Sequence, residues 1–573
     1  MIKVISVEDT RKIEAAADAN GISYATLMEN AGRAAAQRAI EMIADLDAPK
    51  VTLLIGAGNN GGDGLVTGRI IAQQRKDAVV RFYLLKRREQ DDTNFKQIQD
   101  AGLFVASAED DHDNRVLRNM VASADLVTDA LFGIGIHLPI KDDALKVLRG
   151  VNQAIHDRRT AQPDEKIIDP LKPQSTTITG LPRVLAIDCP SGLNCDTGEL
   201  DKNTIPADET ITFIAAKPGL LTFPGAQAVG RLSIATLGIP EDLPEFKAIR
   251  HTLADSEQIR SLLPSRALDS NKGTFGKALI IAGSVNYSGA PALAAKAAYR
   301  AGAGLVTVGA AGPVITTLAA QLMEPTWLML PHDMGVLSEK SAPLIFEQLT
   351  GYNALLLGPG WGQEETTGHL LEALLKNSTT SPKNKTKRNL GFGALKTDSE
   401  NEAQEKAAQL PPLVIDADGL NLLAKIDEWW KLLPEGTIIT PHPGEMGRLA
   451  DLETSAVQAN RLKIAQEKAA EWQVVLLLKG AHTLIAAPDG RMTVLPFKTD
   501  ALATAGSGDV LAGIITGLLA QGMSPYEAAV CAGYIHGLSG EQNAQKYGSG
   551  RGVIASDLLE MIPFVFGLIQ GHY

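Results

Sequence analysis

Cysteine is scarce in this chain: Cys189, Cys195 and Cys531 are the only three in 573 residues. That is too few for a disulfide framework, and none belongs to a metal-spaced cluster, so a reducing compartment is expected. Positive charge is in deficit as well. Lysine and arginine total 54 against 66 acidic residues, a net charge of −12. This argues against nucleic-acid binding through bulk charge but leaves room for a local basic pocket around a small phosphorylated molecule. Long apolar runs are missing: Val510 to Leu519 is broken by Gly513, Thr516 and Gly517 and is too short to cross a bilayer. The opening MIKVISVEDT lacks the apolar core of a signal peptide. No solenoid-type repeat is present, and no segment matches G-x-x-x-x-G-K-[ST], which makes a P-loop phosphate site unexpected. A soluble cytoplasmic protein is the expectation.

What is present is a repeated alternation of short Val/Ile/Leu runs with helical patterns. The length calls for two to four domains. In the first half the candidate strands are Val51–Ile55, Val79–Leu85, Leu126–Ala130, Val184–Ile187 and Glu209–Phe213. In the second they are Ala278–Ile281, Leu305–Val308, Ala354–Leu357, Leu413–Ile415, Thr437–Ile439 and Val474–Leu478. Continuous apolar strands bounded by turns imply parallel sheets covered by helices on both faces. The first domain is expected over 1–240, a linker over 241–261 and the second domain over 262–573. Two polar stretches, 156–182 and 377–412, read as surface insertions.

In the first half, the strand Val51–Ile55 runs into Gly56-Ala57-Gly58-Asn59-Asn60-Gly61-Gly62-Asp63-Gly64. Gly56, Gly58 and Gly61 satisfy G-x-G-x-x-G, but alone that is a weak signal. The next strand ends on Lys86-Arg87-Arg88, either a solvated basic turn or a contact for an extra phosphate. The amides of Asn59 and Asn60 can ligate a monovalent cation or grip a carboxamide. Asp129 and Asp188 each follow an apolar strand directly, as turn residues or as parts of a site.

The motifs GNNGGDG, DALFGIG, IDCPSGL and Lys217-Pro218-Gly219-Leu220-Leu221-Thr222 together resemble the NAD(P)H-hydrate epimerases over nearly all of the first half. The resemblance implies a potassium ion held by Asn60, Asp129 and Ser191. It implies substrate contacts from Asn59-Asn60-Gly61-Gly62-Asp63, from Gly133-Ile134-Gly135-Ile136-His137-Leu138-Pro139 and from Asp188. Asp188 is the candidate for proton transfer.

In the second half, Gly506-Ser507-Gly508-Asp509 immediately precedes the apolar helical pattern Val510 to Leu519. Glycines at a helix N-terminus let backbone N–H groups approach an anion. Asp509 is then either an ordinary cap or a carboxylate with proton-transfer work beside a phosphate. Glycine-rich or polar loops end five further strands: Gly283 to Ala290, Gly358 to Gly362, Asp416 to Asn421, Pro441 to Met446 and Lys479 to Thr483. Taken singly, His442, Lys479, Asp416 and Asp418 could be turn, cap or solvated residues. Trp429-Trp430 is read as packing rather than as a base platform.

The ordered set NKGTFGK, GSVNYSGA, LGPGWG, DADGLN, PHPGEMGRL, KGAHT and GSGD resembles the NAD(P)H-hydrate dehydratases, whose fold is ribokinase-like. The resemblance implies substrate contacts at Ala290, Gly360, His442-Pro443-Gly444-Glu445-Met446-Gly447-Arg448 and Asp509. It implies ADP contacts at Lys479-Gly480-Ala481-His482-Thr483 and Thr499-Asp500-Ala501-Leu502-Ala503-Thr504-Ala505-Gly506-Ser507-Gly508, with magnesium shielding the phosphates. Ala505 stands where family members carry glycine, and Thr499 to Ala503 lacks the family's Asn and Gly.

The expectation is therefore an α/β protein of two domains: an N-terminal Rossmann-like three-layer α/β/α domain and a C-terminal ribokinase-like domain. Its expected work is epimerisation and ADP-dependent dehydration of NADHX and NADPHX. The resemblance also suggests a homo-oligomer. The competing enzyme reading is an ATP-dependent small-molecule kinase with a fused nucleotide-binding domain, and a third is a non-catalytic nucleotide sensor.

Overall fold

The structure, a computed structural model, describes residues 2–89, 91–160, 180–379 and 410–572. It divides into two compact units, one over Ile2–Arg250 and the other beginning at His251.

The first unit is built on seven strands: β1 (Lys50–Ile55), β2 (Val79–Leu84), β3 (Phe104–Ser107), β4 (Leu126–Ala130), β5 (Arg183–Ile187), β6 (Glu209–Phe213) and β7 (Arg231–Ala235). Their order is β3-β2-β1-β4-β5-β6-β7, and every described pairing is parallel. Alternate residues of each strand serve opposite layers. Leu53, Ile55, Phe82 and Leu84 pack with Ala31, Ala35 and Leu65 on one face. Leu54 and Tyr83 pack with Leu117, Val147 and Val151 on the other. A parallel sheet needs both faces covered, and the period-two burial delivers that. The order reverses between β1 and β4, and open α/β sheets bind ligands beyond the carboxyl ends of strands at such a point.

The second unit contains β8 (His251–Leu253), β9 (Lys277–Ile281), β10 (Leu305–Ala311), β11 (Thr326–Leu330), β12 (Ala354–Leu357), β13 (Leu413–Ile415), β14 (Ile438–Ile439), β15 (Val475–Leu478), β16 (Leu484–Ala486) and β17 (Met492–Val494). They run in the order β8-β17-β16-β15-β14-β13-β12-β9-β10-β11. From β15 to β11 all pairings are parallel. β16 is antiparallel to both of its neighbours, a departure from the all-parallel expectation. Three-residue strands joined by a tight turn carry too little apolar sequence to be seen beforehand.

The expected linker, 241–261, contains regular structure: the helix Pro244–Lys247, strand β8 and the start of the helix Ser256–Leu262. The expected insertions lie mostly outside the described residues. Residues 156–160 of the first complete the helix Asp142–Thr160, and residues 377–379 of the second end the helix Glu365–Thr379. Trp429 packs edge-on to Trp430 at 5.6 Å and against Trp472 at 4.7 Å, a packed aromatic cluster.

Candidate active sites

In the first unit the loops after β1, β4 and β5 converge. Helix α1 (Asn59–Gln74) begins within the glycine-rich stretch itself, so Asn59 to Asp63 form its first turn. Gly56 and Gly61 make the approach possible: a side-chain carbon on Gly56 would sit 1.8 Å from the Leu131 carbonyl, and one on Gly61 would sit 2.0 Å from the Gly56 carbonyl. The Asn60 side chain is buried, and neither its amide oxygen nor its nitrogen has a hydrogen-bond partner. Gly133 brings the β4 loop against both Asn60 and Asp188.

Asp188 follows β5 with a left-handed backbone, φ 65°. Its Oδ1 accepts from Lys217 Nζ at 3.0 Å and from Thr212 Oγ1 at 3.2 Å, and its Oδ2 accepts from the Ile134 amide at 3.3 Å. Lys217 is fully buried and spends its remaining protons on Thr212 Oγ1 and the Phe213 carbonyl. Asp63 and Glu14 complete an acidic surround. Burial, then the Asp188 charge, then Glu14 push the Asp63 carboxyl well above its ordinary value. Burial and Asp188 likewise raise Glu14, with Lys217 and Arg11 opposing.

Asp129 is fully buried. Its two oxygens accept from the hydroxyl and the amide of Ser191, at 2.6 and 2.8 Å. Burial raises its pKa and the Ser191 bonds oppose the rise. The basic turn after β2 is internally paired. Arg87 meets Glu109 and Asp110, while Arg88 meets Asp92 and donates to the Ala57 carbonyl.

In the second unit, the loops after β9, β12, β13, β14 and β15 leave one rim, because those five strands are adjacent and parallel. The Gly283 amide donates to the Pro359 carbonyl, Gly358 lies against the Asp416 carbonyl, and the Gly362 amide donates to Asp418 Oδ2. Gly360 packs on Tyr287 and Ala290, the latter in helix α2 (Gly289–Arg300). Asp416 is buried. Its Oδ1 accepts from Lys479 Nζ and from Thr440 Oγ1, while its buried Oδ2 has no partner.

His442 caps helix α3 (Pro443–Ala450). Its Nδ1 accepts from the amides of Gly444 and Glu445, and Glu445 Oε2 accepts from the His442 amide, a reciprocal capping box. His442 is therefore tied into the helix start and is no free surface turn. Burial, then Lys479 and Arg448, lower its pKa. Burial pushes Glu445 up to about 7 against the pull of Lys479. Arg448 donates to Asn421, tying α3 to the Asp418–Leu423 helix.

Helix α4 (Ser507–Ala520) starts at the GSGD turn. Gly506 has φ 85°, and any side chain there would meet Leu293. A side-chain carbon on Gly508 would lie 3.3 Å from Lys479 Nζ and 3.7 Å from Asp416 Oδ2. The turn therefore sits directly over the Asp416–Lys479 pair. Burial, then the Asp416 charge, push the Asp509 carboxyl up to about 7, with Lys479 opposing.

Not every expected contact faces this rim. His482 is buried, with Nδ1 on the Leu495 carbonyl, and burial lowers its pKa to about 4. Ala501 is buried in the short turn Asp500–Leu502, which Thr499 caps. Ser507 Oγ donates to the Leu502 carbonyl.

Comparison with known proteins follows this division. Residues 24–219 match the family model described as YjeF-related protein N-terminus. Residues 278–380 and 390–564 match the model described as NAD(P)H-hydrate dehydratase. The bifunctional NAD(P)H-hydrate repair enzyme Nnr of Moorella thermoacetica is 35% identical over 94% of this chain and 92% of its own length. The chain belongs to the bifunctional NAD(P)H-hydrate repair enzyme family. Members so named from Escherichia coli and Leishmania major are 31% and 30% identical, over 97% and 96% of this chain and 92% and 91% of theirs. A crystal structure of the ADP/ATP-dependent NAD(P)H-hydrate dehydratase from Bacillus subtilis, co-crystallised with ATP/Mg2+, is 30% identical. It covers 55% of this chain and 98% of that one, with a TM-score of 0.44.

In this member of the repair family, three side chains carry no local sequence signal of a role: Thr212 behind Asp188, and Arg461 and His536 in the second unit; Lys217 stands in a motif, but nothing local ties it to Asp188. Arg461 donates to the carbonyls of Leu478, Lys479 and Ala481, fixing the loop after β15 from beneath. Burial lowers its pKa to about 10. His536 is buried beside Ser507, and burial lowers its pKa to about 4.

Proposed function

We propose that the chain performs both steps of NAD(P)H-hydrate repair. The first unit interconverts the R and S hydrates of NADH and NADPH, and the second dehydrates the S form at the expense of ADP. The observation that carries this reading is the meeting of Asp509, Lys479 and Asp416 at the first turn of α4.

In the first unit, Asp188 protonates the departing C6 hydroxyl as the ring nitrogen expels it. The planar iminium then accepts water on either face, and Asp188 takes up the proton that water releases. Lys217 and Thr212 hold Oδ1, and Oδ2, which also accepts from the Ile134 amide, faces the reacting oxygen. The residues assigned to potassium fit it: the Asn60 amide oxygen is buried without a partner, and Asp129 and Ser191 add further oxygen donors. A bound cation there supplies positive charge opposite Asp129.

In the second unit, Asp509 takes the proton of the C6 hydroxyl as that oxygen attacks the terminal phosphoryl group of ADP, whose bond to the bridging oxygen breaks to release AMP. The amides of Gly506 and Gly508 and the Lys479 ammonium stabilise charge on the transferred group. Loss of phosphate from C6 and of a proton from C5 restores the dihydronicotinamide. Asp416 Oδ2, an unpartnered oxygen, fits magnesium, which supplies charge to shield the nucleotide phosphates. The buried, unpaired cysteines accord with a cytoplasmic setting, and a homo-oligomer is the proposed assembly.

The test is purified protein with both hydrate epimers and ADP or ATP, followed at the dihydronicotinamide absorbance band. Complete recovery of both epimers with nucleotide is expected. A stable phosphorylated product with no recovered absorbance would instead mean a kinase.

A further inference from the structure

The epimerase reading, on which this inference rests, sets a charge problem in the first unit. A nicotinamide dinucleotide carries an anionic diphosphate, yet Asp188 is surrounded by the carboxyls of Asp63 and Glu14. Lys217 is buried and its three protons are committed to Asp188, Thr212 and Phe213. Arg88 is held by Asp92 and the Ala57 carbonyl.

Arg11 differs. It lies on the helix Val7–Ala19, is exposed, and makes no hydrogen bond or ion pair with any described residue. One guanidinium nitrogen stands 3.8 Å from where a side-chain carbon on Gly135 would be. Gly135 adjoins Ile134, whose amide donates to Asp188 Oδ2. The backbone carrying Arg11 is anchored: Ser6 caps the helix through the Asp9 amide, and the Val7 amide donates to Asp196 at 2.8 Å. A guanidinium that makes no hydrogen bond with a described residue, though its charge reaches Glu14, is thus presented by a fixed helix at the edge of the loop that touches the catalytic carboxylate.

We infer that Arg11 grips the phosphate groups of the hydrated dinucleotide and so selects phosphorylated nicotinamide hydrates at the epimerase site. The guanidinium fork suits phosphate oxygens, and the contact serves binding rather than chemistry.

The experiment uses the full chain and measures R/S interconversion of hydrated NADH by chromatographic separation of the epimers. Arg11→Ala is expected to raise KM about three- to fivefold with kcat held within about twofold, the effect of losing one exposed charge-assisted contact. The rise of KM between about 50 and about 300 mM salt should flatten in the variant, because screening acts on the charge that was removed. Arg11→Lys should fall between the two, and the melting temperature should not move. An unchanged KM and salt dependence, or a fall in kcat at constant KM, would overturn the assignment. Wild-type protein that does not interconvert the epimers would instead sink the epimerase reading itself. Interconversion that depends on Asp188 but is indifferent to Arg11 would sink only the present inference.

Discussion

Asp188 in the first unit is held by Lys217, Thr212 and the Ile134 amide, whereas Asp509 in the second accepts no hydrogen bond from any described residue. Both sit at the carboxyl rim of a parallel sheet, but their surroundings differ. Around Asp188 a buried ammonium compensates a cluster of acids, and the second oxygen accepts from the Ile134 amide. Around Asp509 the nearby Lys479 is already paired with Asp416, so the carboxyl is left desolvated and its proton affinity rises to about 7. In the proposed roles, the acid that both gives and takes a proton is the one fixed in position, and the acid that takes one from a poorly acidic alcohol is the one whose pKa is raised.

The largest expected effect separates the two. Asp509→Asn should lower ADP-dependent dehydration about a thousandfold and leave epimerisation intact, the usual scale of general-base loss. Asp188→Asn should do the reverse. Separate assays of epimer exchange and absorbance recovery check this, and a variant that impairs both activities equally would break the comparison.

Next, Lys217→Met leaves a buried carboxylate without its cation and should cost about 3 kcal/mol of stability, read by denaturant unfolding of the full chain. Gly506→Ala forces a left-handed backbone on alanine and a clash with Leu293, and should cost about 1–2 kcal/mol together with dehydratase activity.

The smallest effect concerns pH. The proposed base role needs Asp509 ionised, so dehydratase kcat/KM should fall as pH drops through about 7. The same raised pKa means that ionising Asp509 costs folding free energy. That cost grows as pH rises from the ordinary carboxyl range to about 7 and is then constant. Asp509→Asn should therefore melt higher than wild type at pH 8 and no higher at pH 4, as calorimetry would show.

The strands readable in advance were those with unbroken apolar runs, such as β1, β4 and β12, which are buried on both faces. β3, β7 and β11 escaped because edge strands are half exposed and carry mixed residues. The acids were legible because Asp188 and Asp509 stand beside glycines and proline in sequence. Arg461, His536 and the pairing of Lys217 with Asp188 were not, because they arise only through folding: Lys217 lies 29 positions from Asp188, and Arg461 meets carbonyls 17 to 20 positions away. Sequence proximity reveals turns, whereas the supports beneath them come from distant segments.

Arg461 carries one last consequence. A trans peptide points its oxygen and its hydrogen in opposite directions. By drawing the Lys479 oxygen inward, Arg461 turns the Gly480 N–H outward, while the nearby amides of Lys479 and His482 donate to the Pro441 and Phe497 carbonyls. A guanidinium beneath the loop thereby sets the polarity of the surface above it, so that a strand end lined by carbonyl oxygens presents an N–H outward.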